Sequence, residues 1–272
     1  MHRAARVSKR VVNDSALRSR VRTVGVQHAG MKALVSMLVF LVACGSHSSG
    51  ADGSGGDDAP KVFMDAPAMV PQMITISGTA SEQAQSGATP LAGVTIGIYR
   101  TSDESTALAT AMTDAQGKYS VMVPTGGHDV DGFIKATKSG YVDTYAYPAS
   151  PWIASSTLGD ANMLSTSTFG LLVSFGGGHS GNGVITMIVT DTSNMPVMGA
   201  TVTTSPASGA YKYSDSSGFP TSTTATAADG LSFMFDVPPG NVTVNAMKPG
   251  MQFHAHALNA RADKFTTTVI EP

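Results

Sequence analysis

The chain has 272 residues, a formal net charge of -2, 42% hydrophobic residues and only 13% charged ones. An average soluble protein is roughly 25% charged, so the surface here must be built largely from Gly, Ser and Thr. One cysteine excludes a disulfide framework and a cysteine-based metal site, and the charge balance carries no electrostatic footprint for nucleic acid.

The charge is unevenly placed. Residues 1–43 carry eight of the 17 Lys and Arg and one of the 19 Asp and Glu, so the remaining 229 residues hold a net of -9. A basic front ahead of an acidic body is the pattern of a targeting segment on an exported protein. Residues 1–30 are basic through Arg3, Arg6, Lys9, Arg10, Arg18, Arg20 and Arg22 and show no apolar period. They read either as an extended basic leader or as sequence ahead of a start at Met31.

The apolar run from Ala33 to Ala43 is 11 residues long. A helix crossing a bilayer needs about 20, whereas a signal-peptide core needs about 7–15. The run ends in Leu41-Val42-Ala43-Cys44-Gly45, which places the only cysteine directly after it. This ending resembles the bacterial lipoprotein signal, in which the cysteine is acylated and becomes the new N-terminus. The resemblance implies lipidation at Cys44, residues 31–43 as the signal peptide, and a membrane as partner through the lipid. It also implies a cell-envelope location, an outer-membrane lipoprotein facing the periplasm or the cell surface. Residues 44–71 begin with a Gly/Ser/Asp tract and repeat Asp-Ala-Pro at 58–60 and 65–67. That composition has too little apolar surface to fold alone and predicts a solvated tether.

From Met73 onward, short runs rich in Val, Ile, Thr, Tyr and Phe alternate with Gly, Asp, Pro and Asn. This is the spacing of an all-β sandwich. Strands are predicted over 73–78, 93–99, 108–113, 118–123, 133–137 and 141–147. The second half repeats the first in four blocks, in order. Pro90-Leu-Ala-Gly93-Val-Thr-Ile96 matches Pro196-Val-Met-Gly199-Ala-Thr-Val202, and Thr113-Asp-Ala-Gln-Gly117 matches Thr226-Ala-Ala-Asp-Gly230. Val123-Pro-Thr-Gly126 matches Val237-Pro-Pro-Gly240, and Ala136-Thr-Lys138-Ser-Gly140 matches Ala246-Met-Lys248-Pro-Gly250. The blocks lie 106 to 114 residues apart, which predicts a tandem pair, 72–147 and 183–272, joined by a connector over 148–182.

These blocks resemble the carboxypeptidase regulatory-like domains. The match is better over 72–147. In the second copy Thr-Ala-Ala-Asp-Gly replaces Thr-Asp-Ala-x-Gly, Met251 stands where the motif has Tyr, and Ser208–Ser222 is inserted. The resemblance implies two transthyretin-like β-sandwiches and a non-catalytic accessory, adhesive or spacer role. An immunoglobulin-type sandwich is the alternative, but Trp152 lies outside both strand sets and gives no core Trp of the expected kind. The connector contains Leu164, Phe169, Leu171, Leu172, Val173 and Phe175, too apolar for a free linker. It predicts a helix capped by Ser165 or Thr166, or a strand, packed on the modules.

Motifs with catalytic meaning are weak. Gly176-Gly-Gly-His-Ser-Gly181 has the glycine spacing of a dinucleotide fingerprint but precedes a strand-like run instead of a helix. Gly178-His-Ser-Gly-Asn182 departs from the nucleophile elbow at its last position. No cofactor is implied. His254 and His256, two residues apart on an expected strand, would face one side and are the candidate metal pair; a third ligand is required. With such a ligand they would suit a metal-dependent envelope hydrolase. Tyr141, Tyr145 and Tyr147 share strand parity with Asp143 and are the candidate ligand-binding face for stacking a polysaccharide. The plainer reading of each is a solvent-facing histidine pair and ordinary sandwich aromatics. The sequence as a whole points to a lipid-anchored, non-catalytic envelope protein acting in adhesion, scaffolding or protein or glycan binding.

Overall fold

The computed structural model describes residues 69–84 and 87–272. The signal segment, Cys44 and almost all of the tether lie outside the described residues. The fold is a β-sandwich protein with one short helix.

In the first repeat, β1 (Met73–Ala84) pairs antiparallel with β5 (Lys118–Pro124) and β2 (Gly87–Pro90), and parallel with β8 (Ala161–Met163). Against this sheet packs a second one made of β3 (Thr95–Arg100), β4 (Ala109–Met112), β6 (Gly132–Thr137) and β7 (Thr144–Tyr147), in the order β4-β3-β6-β7. Strict alternation drives this: in β5 the residues Tyr119, Val121 and Val123 are buried while Lys118, Ser120 and Met122 face water. Ile74, Ile76, Val94, Ile96, Ile98, Val123 and Ile134 form the core between the sheets. Each such side chain, fully buried, contributes about 1.5–3 kcal/mol of transfer free energy. Trp152 is also in this core, 7% exposed, held by a two-way backbone bridge to Val130 at 2.9 and 3.0 Å. Lying outside the strands does not keep a tryptophan out of the core.

The second repeat has the same plan. β9 (Gly183–Val189) pairs antiparallel with β12 (Leu231–Val237) and parallel with β15 (Phe265–Ile270), as β1 does with β5 and β8. β10 (Thr201–Ser205), β13 (Gly240–Met247) and β14 (His256–Ala260) form the facing sheet, matching β3, β6 and β7. The repeated blocks make the same bonds. Thr113 Oγ1 donates to Leu91 O and accepts from Val94 N at 2.6 and 2.9 Å; Thr226 Oγ1 donates to Val197 O and accepts from Ala200 N at 2.7 and 2.9 Å. Gly117 and Gly230, at φ 73° and 63°, press against Ala80 O and Val189 O, where a Cβ would lie 2.6 Å away in both. Only glycine fits that approach.

Two features lie beyond any local sequence pattern. Parallel pairing of β15 with β7 (Phe265 opposite Thr144) joins the repeats into one eight-stranded sheet, β11-β12-β9-β15-β7-β6-β3-β4. And β11 (Ala210–Tyr213), which follows β10 as β4 follows β3, pairs with β12 in the other sheet.

The connector supplies the helix α1 (Thr166–Gly176). Ser165 is its N-cap, accepting from Thr168 N at 3.3 Å, and Gly177 ends it at φ 77° with Gly178 N donating to Val173 O. Phe169 packs with Val142, Leu164, Val184, Phe233, Phe235 and Phe265, so α1 covers the face of the large sheet opposite the second core. Among the described residues no helix is long and apolar enough to cross a membrane.

Candidate functional site: the junction between the repeats

Strand parity puts Phe133, Tyr145 and Tyr147 on the face of the large sheet that continues into the second repeat's core. Tyr145 is 7% exposed and Tyr147 4%. Phe133 stacks on Tyr99 at 5.5 Å between ring centroids and lies 5.1 Å from Tyr147 and 5.8 Å from Tyr145. These two tyrosines therefore do not form a sugar-stacking surface; the second repeat covers them. Tyr141 is not with them. It precedes β7, packs toward the first core and donates its hydroxyl to Glu82 at 2.9 Å.

What covers the tyrosines is a polar clamp from β14 and the turn after it. The Arg261 guanidinium carbon lies 3.7 Å from the Tyr145 ring centroid and 4.8 Å from that of Phe133, close enough for strong cation–π contact. Its nitrogens grip both oxygens of Glu104, Nη2 to Oε1 at 2.7 Å and Nε to Oε2 at 3.2 Å. Glu104 comes from the β3–β4 loop of the first repeat and also accepts from Asn259 Nδ2 at 2.7 Å. The Tyr147 hydroxyl accepts from Asn259 N and Arg261 Nη2 at 3.3 and 3.2 Å. Burial pushes the hydroxyl pKa values of Tyr145 and Tyr147 up, against the pull of Arg261. Both stay protonated at neutral pH and act as packing and hydrogen-bonding groups.

The histidine pair is split. His256 opens β14, turns toward Tyr147 edge-on at 6.2 Å, and shares a 2.9 Å hydrogen bond between Nδ1 and Thr268 Oγ1. Burial holds its pKa below the ordinary histidine value, although the Val269 backbone and Asp131 push the other way. His254 precedes the strand and is exposed, its backbone N donating to Glu271 O. The same-face argument fails because only one of the two is in the strand. Among the described residues no group of three His, Cys, Asp or Glu side chains is placed to hold a metal.

The glycine-rich turn after α1 is fastened by two aspartates. Asp236 accepts from His179 N, from Asn182 Nδ2 and meets His179 Nδ1 at 2.6 Å; Asp263 accepts from Ser180 Oγ and Gly181 N. Both aspartates have left-handed backbones, φ 53° and 54°. Ser180 is bonded to Asp263 and not to His179, so no serine–histidine pair forms there.

The signal that sequence reasoning missed was the conjunction of Glu104, Asn259 and Arg261. Asn259 and Arg261 are neighbours in sequence, but Glu104 lies more than 150 residues away in the first repeat, and the shared sheet made by the β7–β15 pairing brings the two sides together.

Neither a protein-family model nor a curated protein matches the chain. Among solved structures it is similar to the shaft pilin SpaA of Lactobacillus rhamnosus GG, at 13% identity over 74% of this chain and 98% of that one, with a TM-score of 0.23. GBS52, a minor pilin of Streptococcus agalactiae, is 12% identical over 73% of this chain and 94% of its own, at 0.25. A streptococcal ancillary pilin is 13% identical over 74% and 62%, at 0.23. Overlap this slight carries no inference about architecture or role, which rest on the chain's own geometry.

Proposed function

We propose that the protein is a lipid-anchored, non-catalytic component of a bacterial cell envelope, a stiff two-module spacer that presents a surface for scaffolding or adhesion. The observation behind this reading is the junction. Two repeats that share one sheet and are clamped by Arg261, Glu104 and Tyr147 behave as a single body, unlike modules on a flexible linker. The lipoprotein-like Cys44 and the Gly/Ser/Asp tract after it would set such a body at a distance from a membrane. Its partner is an envelope protein or a polysaccharide, bound on loops and sheet faces, since Tyr145 and Tyr147 are buried at the junction.

The test joins anchoring with stiffness. Cys44→Ser should abolish labelling by a fatty-acid precursor and move the protein from membrane to soluble fractions. Arg261→Ala should cost about 2–3 kcal/mol in denaturant unfolding, since it strips a partly buried ion pair and a cation–π stack. It should also weaken retention of the partner captured from envelope fractions. Membrane association that survives Cys44→Ser, with no envelope component retained by the wild type, would overturn the reading.

A further inference from the structure

The β1–β5 register fixes which way each backbone group of β5 points. Ala80 N donates to Gly117 O at 2.8 Å, so Tyr119, Val121 and Val123 turn their N–H and C=O toward β1. Lys118, Ser120, Met122 and Pro124 turn theirs to the outer edge. Lys118 is capped there: its N donates to Asp114 Oδ1 and its O accepts from Asp114 N, both at 2.9 Å. Pro124 has only a carbonyl to offer. Among the described residues nothing pairs with the outward groups of Ser120 and Met122. The second repeat fills the same seat. Gly230 O accepts from Val189 N as Gly117 O does from Ala80 N, which aligns Ser120 with Phe233 and Met122 with Phe235. Those two residues pair with Lys212 and Ala210 of β11, antiparallel. The scaffold thus accepts an antiparallel strand at this edge, and in the first repeat β4, in the other sheet, does not take the place.

We infer that the outer edge of β5 pairs antiparallel with β5 of a second copy of this chain, about a twofold axis at Met122. A twofold suits this edge, which is short, uncharged at its centre and symmetric in the groups it leaves free. Met122 exchanges N–H···O bonds in both directions with the partner's Met122, and each Ser120 N–H donates to the Pro124 carbonyl of the other copy. The missing N–H of Pro124 is not needed in this arrangement. The ends of the edge set the register. Sliding one way drives Pro124 into the Asp114 cap on Lys118. Sliding the other way leaves Ser120 opposite Gly126, where the chain has turned off at φ 67°. Charge also permits the contact: Lys118 is the only charged residue of β5, and the axis sets its two copies about 27 Å apart, beyond screened repulsion. The Met122 side chain, 62% exposed in one copy, is covered by its counterpart. So short an edge makes a weak, reversible dimer. The contact rests on strand geometry alone and does not depend on the lipid anchor.

The test uses the full chain carrying Cys44→Ser, which removes the only thiol and, with it, any lipid. Sedimentation should show a monomer at micromolar concentration that moves toward twice its mass as the concentration approaches millimolar. Over the same range amide exchange at Ser120 and Met122 should slow several-fold. Adding Met122→Cys should give a disulfide-linked dimer on mild oxidation, whereas Ser120→Cys and Met112→Cys, off the axis, should give far less. Met122→Lys sets two ammonium groups face to face, and Met122→Pro removes an N–H that β1 does not use. Each should return a folded monomer, checked by its unfolding midpoint, with exchange at Ser120 fast at every concentration. Protection of Ser120 and Met122 that does not vary with concentration would mean that the chain covers this edge itself, and would overturn the proposal. So would a monomer at millimolar concentration, or a dimer undisturbed by the Lys and Pro variants.

Discussion

The two repeats share their strands, their threonine clips and their glycine contacts, yet they part at one strand. In the first, β4 lies beside β3 and completes its ladder. In the second, β11 crosses to β12, and among the described residues no strand lies beside the outer edge of β10. The N–H groups so released are not left bare. Val202 N donates to the Tyr213 hydroxyl at 3.0 Å and Thr204 N to the Tyr211 hydroxyl at 3.2 Å; Ser208 N also reaches Tyr211 at 3.0 Å. Side-chain oxygens from a strand in one sheet thus stand in for the backbone carbonyls of a missing neighbour in the other. Polar satisfaction, and not strand count, is what the scaffold preserves.

Substitutions made in parallel in both repeats test how far the equivalence goes. The largest effect is expected at the shared glycine. Gly117→Ala and Gly230→Ala should each destabilise by about 2–3 kcal/mol, because each forces a left-handed alanine against a carbonyl oxygen. Denaturant midpoints differing widely between the two would show that one copy relaxes where the other does not. Thr113→Val and Thr226→Val come next, at about 1–2 kcal/mol each, since each leaves a buried N–H and C=O without their clip. The double variant should be additive within a few tenths, the sites being in separate cores; a clear departure would mean that the shared sheet transmits the change. The smallest is Tyr213→Phe, which orphans only Val202 N and should cost about 1 kcal/mol. It has no counterpart in the first repeat. Amide exchange should quicken at Val202 while Ile96 stays protected; protection retained at Val202 would show that something else caps the edge.

The sequence reveals whatever depends on neighbours along the chain. Alternation in 118–123 and the short apolar run opening 133–137 expose strands, the four repeated blocks expose the duplication, and Ser165 ahead of Phe169 exposes the helix start. β8 escaped because three residues, Ala161–Met163, hold no period. β11 escaped in a subtler way. Ala-Tyr-Lys-Tyr is an acceptable strand for either sheet, and only the inserted loop decides which it joins. The tyrosine face failed for a related reason. Parity tells that Tyr145 and Tyr147 point the same way, not whether that side is open. A register between β7 and β15 decides that, and no local pattern encodes it.

That register also orders the protein's assembly. During synthesis the first repeat can gather all its own strands once β8 has emerged, but β7 then stands with a vacant flank. Thr144 through Tyr147 must wait for Phe265 through Thr268, so the first module's sheet stays unfinished until the second has nearly been made. In that interval the half-made chain offers a strand edge to any other half-made chain. Long-range parallel pairing is slow to find, so the same contact that stiffens the mature molecule is the step at which nascent copies are most exposed to swapping strands with one another.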